Sequence, residues 1–185
     1  MTRIIAGFAG SIALAVPNSG TRPTSDRVRE AIFSALESRD AIAGMRVLDL
    51  YAGTGALGLE AASRGAAHVT LVDRVIATAK LNAGRVQKQA PHGTQLKIET
   101  TSQSVQPFLA SARAFWELVF IDPPYQLAAP EVEADLTALI PRLAPGAIVV
   151  LERGSRSPHP RWPNGIELDR RKDYGDTALY WLTAS

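Results

Sequence analysis

Short runs of strand length alternate with helical stretches over most of this chain. The runs that favour strands lie at residues 46–51, 68–73, 96–101, 118–121 and 147–151. The stretches that favour helices lie between them, at residues 56–64, 75–89, 104–113 and 131–143. Strands that alternate with helices build a mostly parallel sheet with helices on both faces. The pattern therefore predicts an α/β fold.

The two ends of the chain depart from this alternation. Residues 4–6 and 12–16 flank a glycine-containing turn and predict a β-hairpin. A helix with one apolar face should follow, beginning after Ser25, which is a favourable N-cap. Residues 166–172 and 178–182 predict a second hairpin at the C-terminal end. With five parallel strands before it, this hairpin would complete a sheet of seven strands.

The turn between the first strand and the next helix carries three glycines, in the order Gly53-x-Gly55-x-x-Gly58. Glycines there permit a tight turn, close approach of a ligand to the backbone, and close packing of helix on strand. Asp73 ends the second strand about 20 residues after Gly53, where nucleotide-binding units place a carboxylate that binds a ribose. The spacing fits either NAD or S-adenosylmethionine, because both contain an adenosine ribose. A structural turn without a ligand is the alternative.

A second motif, Asp122-Pro123-Pro124-Tyr125, follows the fourth strand. It falls at the carboxyl edge of the sheet, where open α/β folds bind ligands. A carboxylate and a backbone carbonyl can accept the two protons of an amine and leave its lone pair directed at an electrophile. The tyrosine ring can stack on the base that carries the amine. Alone, the motif fits a surface turn equally well; beside the glycine motif it favours group transfer to an amine.

Composition and charge limit the possible functions only slightly. A length of 185 residues suits one domain with a small addition, and a net charge of +2 with a pI near 9.1 is compatible with nucleic acid without indicating it. The absence of cysteine excludes disulfides, thiolate nucleophiles and cysteine-based zinc sites. His68, His92 and His159 stand apart, which favours no metal site. No apolar stretch reaches the ~20 residues of a membrane span, and residues 1–16 fit a secretory signal poorly.

Asp49 directs the choice between the two cofactors. It stands four residues before Gly53, and Asp-x-x-x-Gly-x-Gly resembles the first motif of Rossmann-like methyltransferases. Together with residues 122–125, the chain resembles the methyltransferases that act on exocyclic amines. Residues 3–7 and 21–30, the second reading TRPTSDRVRE, narrow the resemblance to the RsmD family of bacterial 16S ribosomal RNA guanine-N2 methyltransferases. The resemblance covers nearly the whole chain.

The resemblance implies a class I S-adenosylmethionine-dependent methyltransferase fold, a mostly parallel seven-stranded sheet with an antiparallel C-terminal hairpin. It implies an N-terminal hairpin extension at residues 1–23 for RNA recognition and a catalytic domain at residues 24–185. It also implies that S-adenosylmethionine donates the methyl group to N2 of a guanine in 16S rRNA of the small ribosomal subunit. A cytoplasmic monomer without metal or membrane contact is expected.

The family resemblance also assigns residues to roles. The expected cofactor-binding residues are Asp49, Gly53, Gly55, Asp73, Gln103, Ser104 and Thr24. Related enzymes often have an acid after the third strand to contact adenine N6, whereas this chain offers only Gln103 or Ser104 there. The expected catalytic residues are Asp122 and the Pro123 carbonyl, which would hold guanine N2, and Tyr125, which would stack on the ring.

Basic side chains near both ends are candidates for RNA phosphates. The N-terminal set contains Arg3, Arg22, Arg27 and Arg29. A second set, with weaker support, contains Arg153, Arg156, Arg161, Arg170, Arg171 and Lys172. Phosphate contacts of this kind would depend on salt, and a solvated charged face is the alternative interpretation for both sets.

Four other functions remain open from the sequence. A DNA adenine or cytosine amino-methyltransferase shares the Asp-Pro-Pro-Tyr motif, although this chain leaves little room for a separate target-recognition region. A protein glutamine methyltransferase would more often have Asn at the position of Asp122. An NAD-dependent dehydrogenase would leave residues 122–125 unexplained. A non-catalytic RNA-binding module would require a decayed pocket.

Overall fold

The computed structural model describes residues 1–18 and 24–185, and a seven-stranded sheet forms its centre. The strands are β1 Arg46–Leu50, β2 His68–Asp73, β3 Lys97–Ser102, β4 Trp116–Ile121, β5 Leu143–Gly154, β6 Ile166–Tyr174 and β7 Thr177–Ala184. The helices are α1 Asp26–Glu37, α2 Ala56–Ser63, α3 Ala77–Gln87, α4 Val105–Ser111 and α5 Ala129–Leu139, and a 3₁₀ turn at Ile140–Arg142 follows α5.

The strand order is β3-β2-β1-β4-β5-β7-β6. Strands β1 to β5 run parallel, and β7 is antiparallel to both β5 and β6. The predicted α/β fold with an antiparallel C-terminal hairpin is therefore confirmed. The order of strands reverses between β1 and β4, and open sheets of this type bind ligands beside that point.

Both faces of the central strands are buried, as the apolar runs predicted. Val47 in β1 packs in the core under α1, α2 and α3, whereas its neighbour Leu48 packs in the core under α4 and α5. Successive side chains of a strand point to opposite faces, so a run without polar alternation serves two helical layers. The Ser25 hydroxyl accepts a hydrogen bond from the Val28 N–H and caps α1, also as predicted.

The N-terminal extension contains only a short part of the predicted hairpin. Arg3 and Ala13 form a single antiparallel bridge instead of two strands, and the Ile4 and Leu14 N–H groups donate to the Ile12 and Thr2 carbonyls, both at 2.9 Å. The reason is that its backbone bonds to α2: the Glu60 carboxylate accepts the Ile5 and Ala6 N–H groups at 2.8 and 3.0 Å. Ile4, Ala9 and Leu14 of the extension are buried in the main core. Residues 1–18 are thus packed onto the α/β fold.

Two boundaries in the second half also differ from the prediction. Helix α5 ends at Leu139 rather than near residue 143, and a 3₁₀ turn containing Pro141 follows. Strand β5 extends from Leu143 to Gly154, well beyond the predicted residues 147–151. The longer strand includes Glu152 and Arg153, which lie beyond the predicted end of the strand, at the carboxyl edge of the parallel strands.

The interpretation of Arg29 as an RNA ligand is wrong. Its side chain is fully buried on the apolar face of α1, where it bonds to Asp26 at 2.6 Å and lies 3.6 Å from the buried Glu60 carboxylate. A guanidinium in this position neutralises Glu60 and cannot reach a phosphate in solution.

Across residues 1–18 and 24–185, no helix combines the length and the apolar composition that crossing a membrane requires.

Replacing Glu60 with Ala should lower the free energy of unfolding by about 3 kcal/mol, because it removes the buried counter-charge of Arg29 and leaves only the half-exposed Asp26. It also removes the acceptor for two backbone N–H groups of the extension. Urea unfolding measures the change. The matched control is Glu37→Ala, which removes only an exposed partner of Arg64 and should cost less than about 1 kcal/mol. Equal effects of the two substitutions would contradict this role of Glu60.

Candidate active site

A cavity of about 800 Å³ opens at the carboxyl edge of the sheet, beside the reversal of strand order. The glycine turn after β1, the end of β2, the loop after β4 and the end of β5 form its walls. Its lining includes most of the predicted site residues: Thr24, Asp49, Gly53, Asp73, Gln103, Ser104, Asp122, Pro123 and Tyr125.

Asp49 lies in β1 at the base of the cavity, and its side chain is buried. Oδ2 accepts the Gly58 N–H at 2.8 Å, whereas Oδ1 has no partner among the described residues. Burial raises the pKa of this carboxyl well above its usual range, and the charges of Asp122 and Asp73 add to the effect. A buried oxygen without a partner at a cavity wall suits a cationic or hydrogen-bond-donating ligand.

The glycine turn folds around the Asp73 carboxylate. Its Oδ2 accepts the Gly53 N–H at 2.9 Å and its Oδ1 accepts the Val75 N–H at 3.0 Å. Gly53 and Gly55 have φ values of +56° and +81°, a region that suits glycine. Gly55 is the N-cap of α2 and is not part of the cavity lining, so its contribution is to the shape of the turn.

The segment after β3 forms the wall beside Asp73. The Gln103 N–H donates to the Asp73 carbonyl at 3.1 Å. The Ser104 hydroxyl accepts from Arg74 Nε at 3.1 Å and is half-buried. Gln103 is exposed at the rim, so its side-chain amide is accessible to a ligand.

Tyr51 supports the turn from below, and the sequence analysis did not identify it. It adopts φ +59°, an uncommon conformation for a bulky residue. Its hydroxyl donates to Asp135 on α5, which also accepts from Gln106 Nε2 at 3.0 Å. Burial raises the pKa of Asp135 and of the Tyr51 phenol. The sequence does contain one indication of this contact. Asp135 is a charged residue on the apolar face of α5 that Val132 and Leu136 form, so it needs a polar partner such as Tyr51.

Three polar side chains meet at the start of the Asp-Pro-Pro-Tyr loop. The Thr24 hydroxyl lies 2.9 Å from Asp122 Oδ2 and 3.0 Å from Glu152 Oε2. Burial raises the pKa of Asp122 to about 6, although the Thr24 hydrogen bond and the Arg153 charge oppose the shift. Burial, followed by the charge of Asp122, raises the pKa of Glu152 to about 8. Sequence analysis missed Glu152 because the strand was predicted to end one residue earlier.

Arg153 is a structural support of the loop. Its side chain is buried, and it donates to the Pro124 carbonyl at 3.2 Å and to the Leu127 carbonyl at 2.6 Å. The prediction that Arg153 reaches RNA is therefore wrong, since the guanidinium faces the loop from inside.

The Tyr125 side chain is 44% exposed, and its hydroxyl lies 3.2 Å from Thr177 Oγ1. Its ring is accessible for stacking.

The predicted N-terminal basic residues occupy different environments. Arg3 and Arg27 are exposed, and Arg3 lies 3.8 Å from Asp26. Arg22 lies outside the described residues.

In the described ranges, no group of His, Asp and Glu side chains is arranged to hold a metal ion, and the expectation that no metal takes part stays a prediction.

The fold and the site together define a class I S-adenosylmethionine-dependent methyltransferase, with its glycine turn after β1 and acids at the ends of β1, β2 and β4. A model of the family described as "Conserved hypothetical protein 95" matches residues 2–183. This chain belongs to that family, which is the RsmD family. The family predicted from the sequence motifs is thus confirmed.

Individual relatives agree with this family. Ribosomal RNA small subunit methyltransferase D of Escherichia coli strain K12 is 35% identical to this chain and aligns with 95% of it and 86% of its own length. The structure of a candidate methyltransferase, yhhF, from Escherichia coli is 33% identical, with a TM-score of 0.82 over 99% of this chain and 97% of the other. A hypothetical protein from Thermus thermophilus is 30% identical, with a TM-score of 0.81 over 98% of both chains.

Replacing Glu152 with Gln should stabilise the ligand-free protein at pH 8.5 but not at pH 4.5. Because folding raises the pKa of Glu152 from 4.5 to about 8, the stability held by the protonated carboxyl is complete below pH 4.5 and is lost as the pH rises through 8. Glutamine keeps the neutral form, so we expect a gain on the order of 2 kcal/mol at pH 8.5.

Urea unfolding at the two pH values measures this gain. Glu167→Gln on β6 is the control, because Glu167 is exposed and the substitution should have the same small effect at both pH values. A Glu152→Gln variant whose stability relative to the unsubstituted protein does not change with pH would show that ionisation of Glu152 does not oppose folding.

Proposed function

We propose that this chain transfers a methyl group from S-adenosylmethionine to the exocyclic N2 of a guanine in 16S rRNA of the small ribosomal subunit. The observation that carries the proposal is the juxtaposition, in one cavity, of the Asp49 oxygen that has no partner among the described residues and the Asp122 carboxylate of the Asp-Pro-Pro-Tyr loop. The E. coli relative, named for methylation of small-subunit ribosomal RNA, supports the substrate class.

The cavity residues suit the parts of the cofactor one by one. Asp49, whose buried Oδ1 has no partner among the described residues, would hold the ammonium of the methionine portion near the glycine turn, and the ammonium charge would favour the ionised carboxylate. Asp73 would accept hydrogen bonds from the ribose, since a carboxylate has further lone pairs beyond the two used by Gly53 and Val75. Gln103 or Ser104 would contact the adenine. Thr24 contacts Asp122 directly, so it would border both ligands.

Bound S-adenosylmethionine supplies an electrophilic methyl group on a sulfonium, and the chain's own residues prepare the amine. Asp122 would accept one N2 proton and the Pro123 carbonyl the other, which favours a pyramidal nitrogen whose lone pair faces the methyl group. Tyr125 would stack on the base after it leaves its helical stack. Positioning the reacting atoms roughly 3–3.5 Å apart supplies much of the rate, and the proton released from nitrogen can pass to Asp122.

RNA would approach over the rim of the cavity. Arg3 and Arg27 are exposed and remain candidates for phosphate contacts, as does Arg22 from its place in the sequence. The N-terminal extension would form part of this surface, because Arg3 lies within it. We also propose a cytoplasmic monomer that uses no metal.

Asp49→Asn should weaken binding of S-adenosylhomocysteine and S-adenosylmethionine by roughly ten- to a hundredfold. The asparagine oxygen can keep the Gly58 hydrogen bond, while its NH₂ group replaces the unpaired acceptor and faces the ligand ammonium. Calorimetric titration measures the affinity, and urea unfolding checks that the fold is kept. Unchanged affinity would place the methionine portion elsewhere in the cavity.

Methyl transfer tests the function directly. The protein is incubated with labelled S-adenosylmethionine and, separately, with unmodified small ribosomal subunits, free 16S RNA or DNA, and the labelled nucleoside is identified after digestion. We expect N2-methylguanosine from the ribosomal substrate, and a loss of at least ~100-fold in Asp122→Ala, because the amine then loses its carboxylate acceptor. Lys97→Ala, far from the cavity on β3, should keep the activity.

Other products would change the conclusion in defined ways. Methylated adenine or cytosine in DNA would keep the chemistry and replace the substrate. Cofactor binding without label in any nucleic acid would favour the glutamine methyltransferase or the non-catalytic RNA-binding module. Stabilisation of the protein by NAD but not by S-adenosylhomocysteine would overturn the cofactor assignment.

A further inference from the structure

Glu152 is a buried carboxylate that no step of the proposed reaction uses. It follows Leu151 in β5, and Leu151 pairs with Ile121, the residue before Asp122. The two acids therefore occupy equivalent positions at the ends of adjacent parallel strands. Both line the cavity, and Glu152 is only 5% exposed. Two neighbouring buried acids are costly unless cations or hydrogen-bond donors compensate them, and Arg153 compensates Asp122 only in part.

Thr24 defines which oxygens of this pair remain for a ligand. Its hydroxyl contacts Oδ2 of Asp122 and Oε2 of Glu152, and the second oxygens are Oδ1 and Oε1. One hydroxyl has one proton, so it can donate to only one of the two acids. If Glu152 is protonated on Oε2 it donates to Thr24, and Thr24 donates to Asp122. Every proton in this chain has an acceptor, and Oδ1 and Oε1 both remain acceptors.

Two neighbouring acceptors match one nucleobase edge in particular. Guanine presents the N1–H group directly beside its exocyclic N2 amine, so it offers adjacent donors. Adenine and cytosine present their amine beside a ring nitrogen that is itself an acceptor. An enzyme that reads an extruded base does so through hydrogen bonds to this edge, and an acceptor facing an acceptor leaves both unpaired.

We propose that Glu152 determines specificity by accepting the N1–H of the target guanine at Oε1, while Asp122 accepts a proton of N2. The inference rests on the proposed function and adds the residue that selects guanine over bases whose ring nitrogen beside the amine carries no proton. The raised pKa of Glu152, about 8, agrees with the protonated carboxyl in the hydrogen-bonded chain.

The test varies the base and the side chain together. Small subunits are reconstituted with 16S RNA that carries either guanine or 2,6-diaminopurine at the methylated position. 2,6-Diaminopurine keeps the N2 amine and lacks the N1 proton. We expect the unsubstituted protein to prefer guanine by roughly ten- to a hundredfold in kcat/KM. Glu152→Ala should reduce this preference to about threefold or less, chiefly by lowering kcat/KM for guanine.

The Glu152→Gln variant tests whether an acceptor oxygen at this position is sufficient for recognition of the guanine N1–H. Its amide NH₂ can donate to Thr24 and its carbonyl can accept N1–H, so it should keep the preference for guanine. Glu167→Gln on the exposed face of β6 is the control and should also keep it. Stabilisation by S-adenosylhomocysteine, measured as a rise in Tm, checks that each variant keeps its cofactor site.

Two results would overturn the assignment of Glu152. One is an unsubstituted protein that methylates 2,6-diaminopurine as well as guanine. The other is a Glu152→Ala variant that loses activity on both bases by the same factor, which would make Glu152 a support for Thr24 and Asp122. Absence of methylation by the unsubstituted protein on either base would instead overturn the proposed function, and with it this inference.

Discussion

The seating of α2 on the sheet is the constraint on which the rest of the structure depends. A Cβ atom at Gly58 would lie 2.4 Å from Leu71 Cδ2 and 3.1 Å from the Asp49 Cβ, so any larger residue would force the buried Leu71 side chain or the helix to move. The Gly58 N–H then reaches Asp49, which fixes the carboxylate at the base of the cavity. The same helix carries Glu60, which holds the N-terminal extension. The close packing of α2 on the sheet at Gly58 thus positions both the glycine turn and the N-terminal extension.

The cavity concentrates negative charge in a buried place. Burial raises the pKa values of Asp49, Asp122 and Glu152, which means that ionisation of each opposes folding of the empty protein. Arg153 compensates part of this charge from behind the loop. A cationic methyl donor and a base edge rich in donors would compensate the rest, so the features that destabilise the empty site are those that recognise its ligands.

Local patterns in the sequence were sufficient for the existence and order of the seven sheet strands, the glycine turn and the two motifs, because each depends on residues close together in the chain. Arg29 shows where such reasoning fails. It stands one turn before Ile32 and Phe33, on the apolar face of α1, and its buried acidic partner Glu60 lies on another helix. Glu152 was missed and Arg153 was misassigned for a related reason: charged residues at the end of an apolar run resemble the start of a loop.

Two sets of contacts connect the N-terminal part of the chain to the cavity, one before residue 19 and one after residue 23. Before residue 19, the Asn82 side chain accepts the Ala15 N–H and donates to the carbonyls of both Ala15 and Thr54. One side chain thus joins the extension to the glycine turn. After residue 23, Thr24 bonds to Asp122 at the reacting end of the cavity. Residues 1–18 and the start of α1 are therefore attached to two sides of one cavity, at the glycine turn and at the Asp-Pro-Pro-Tyr loop.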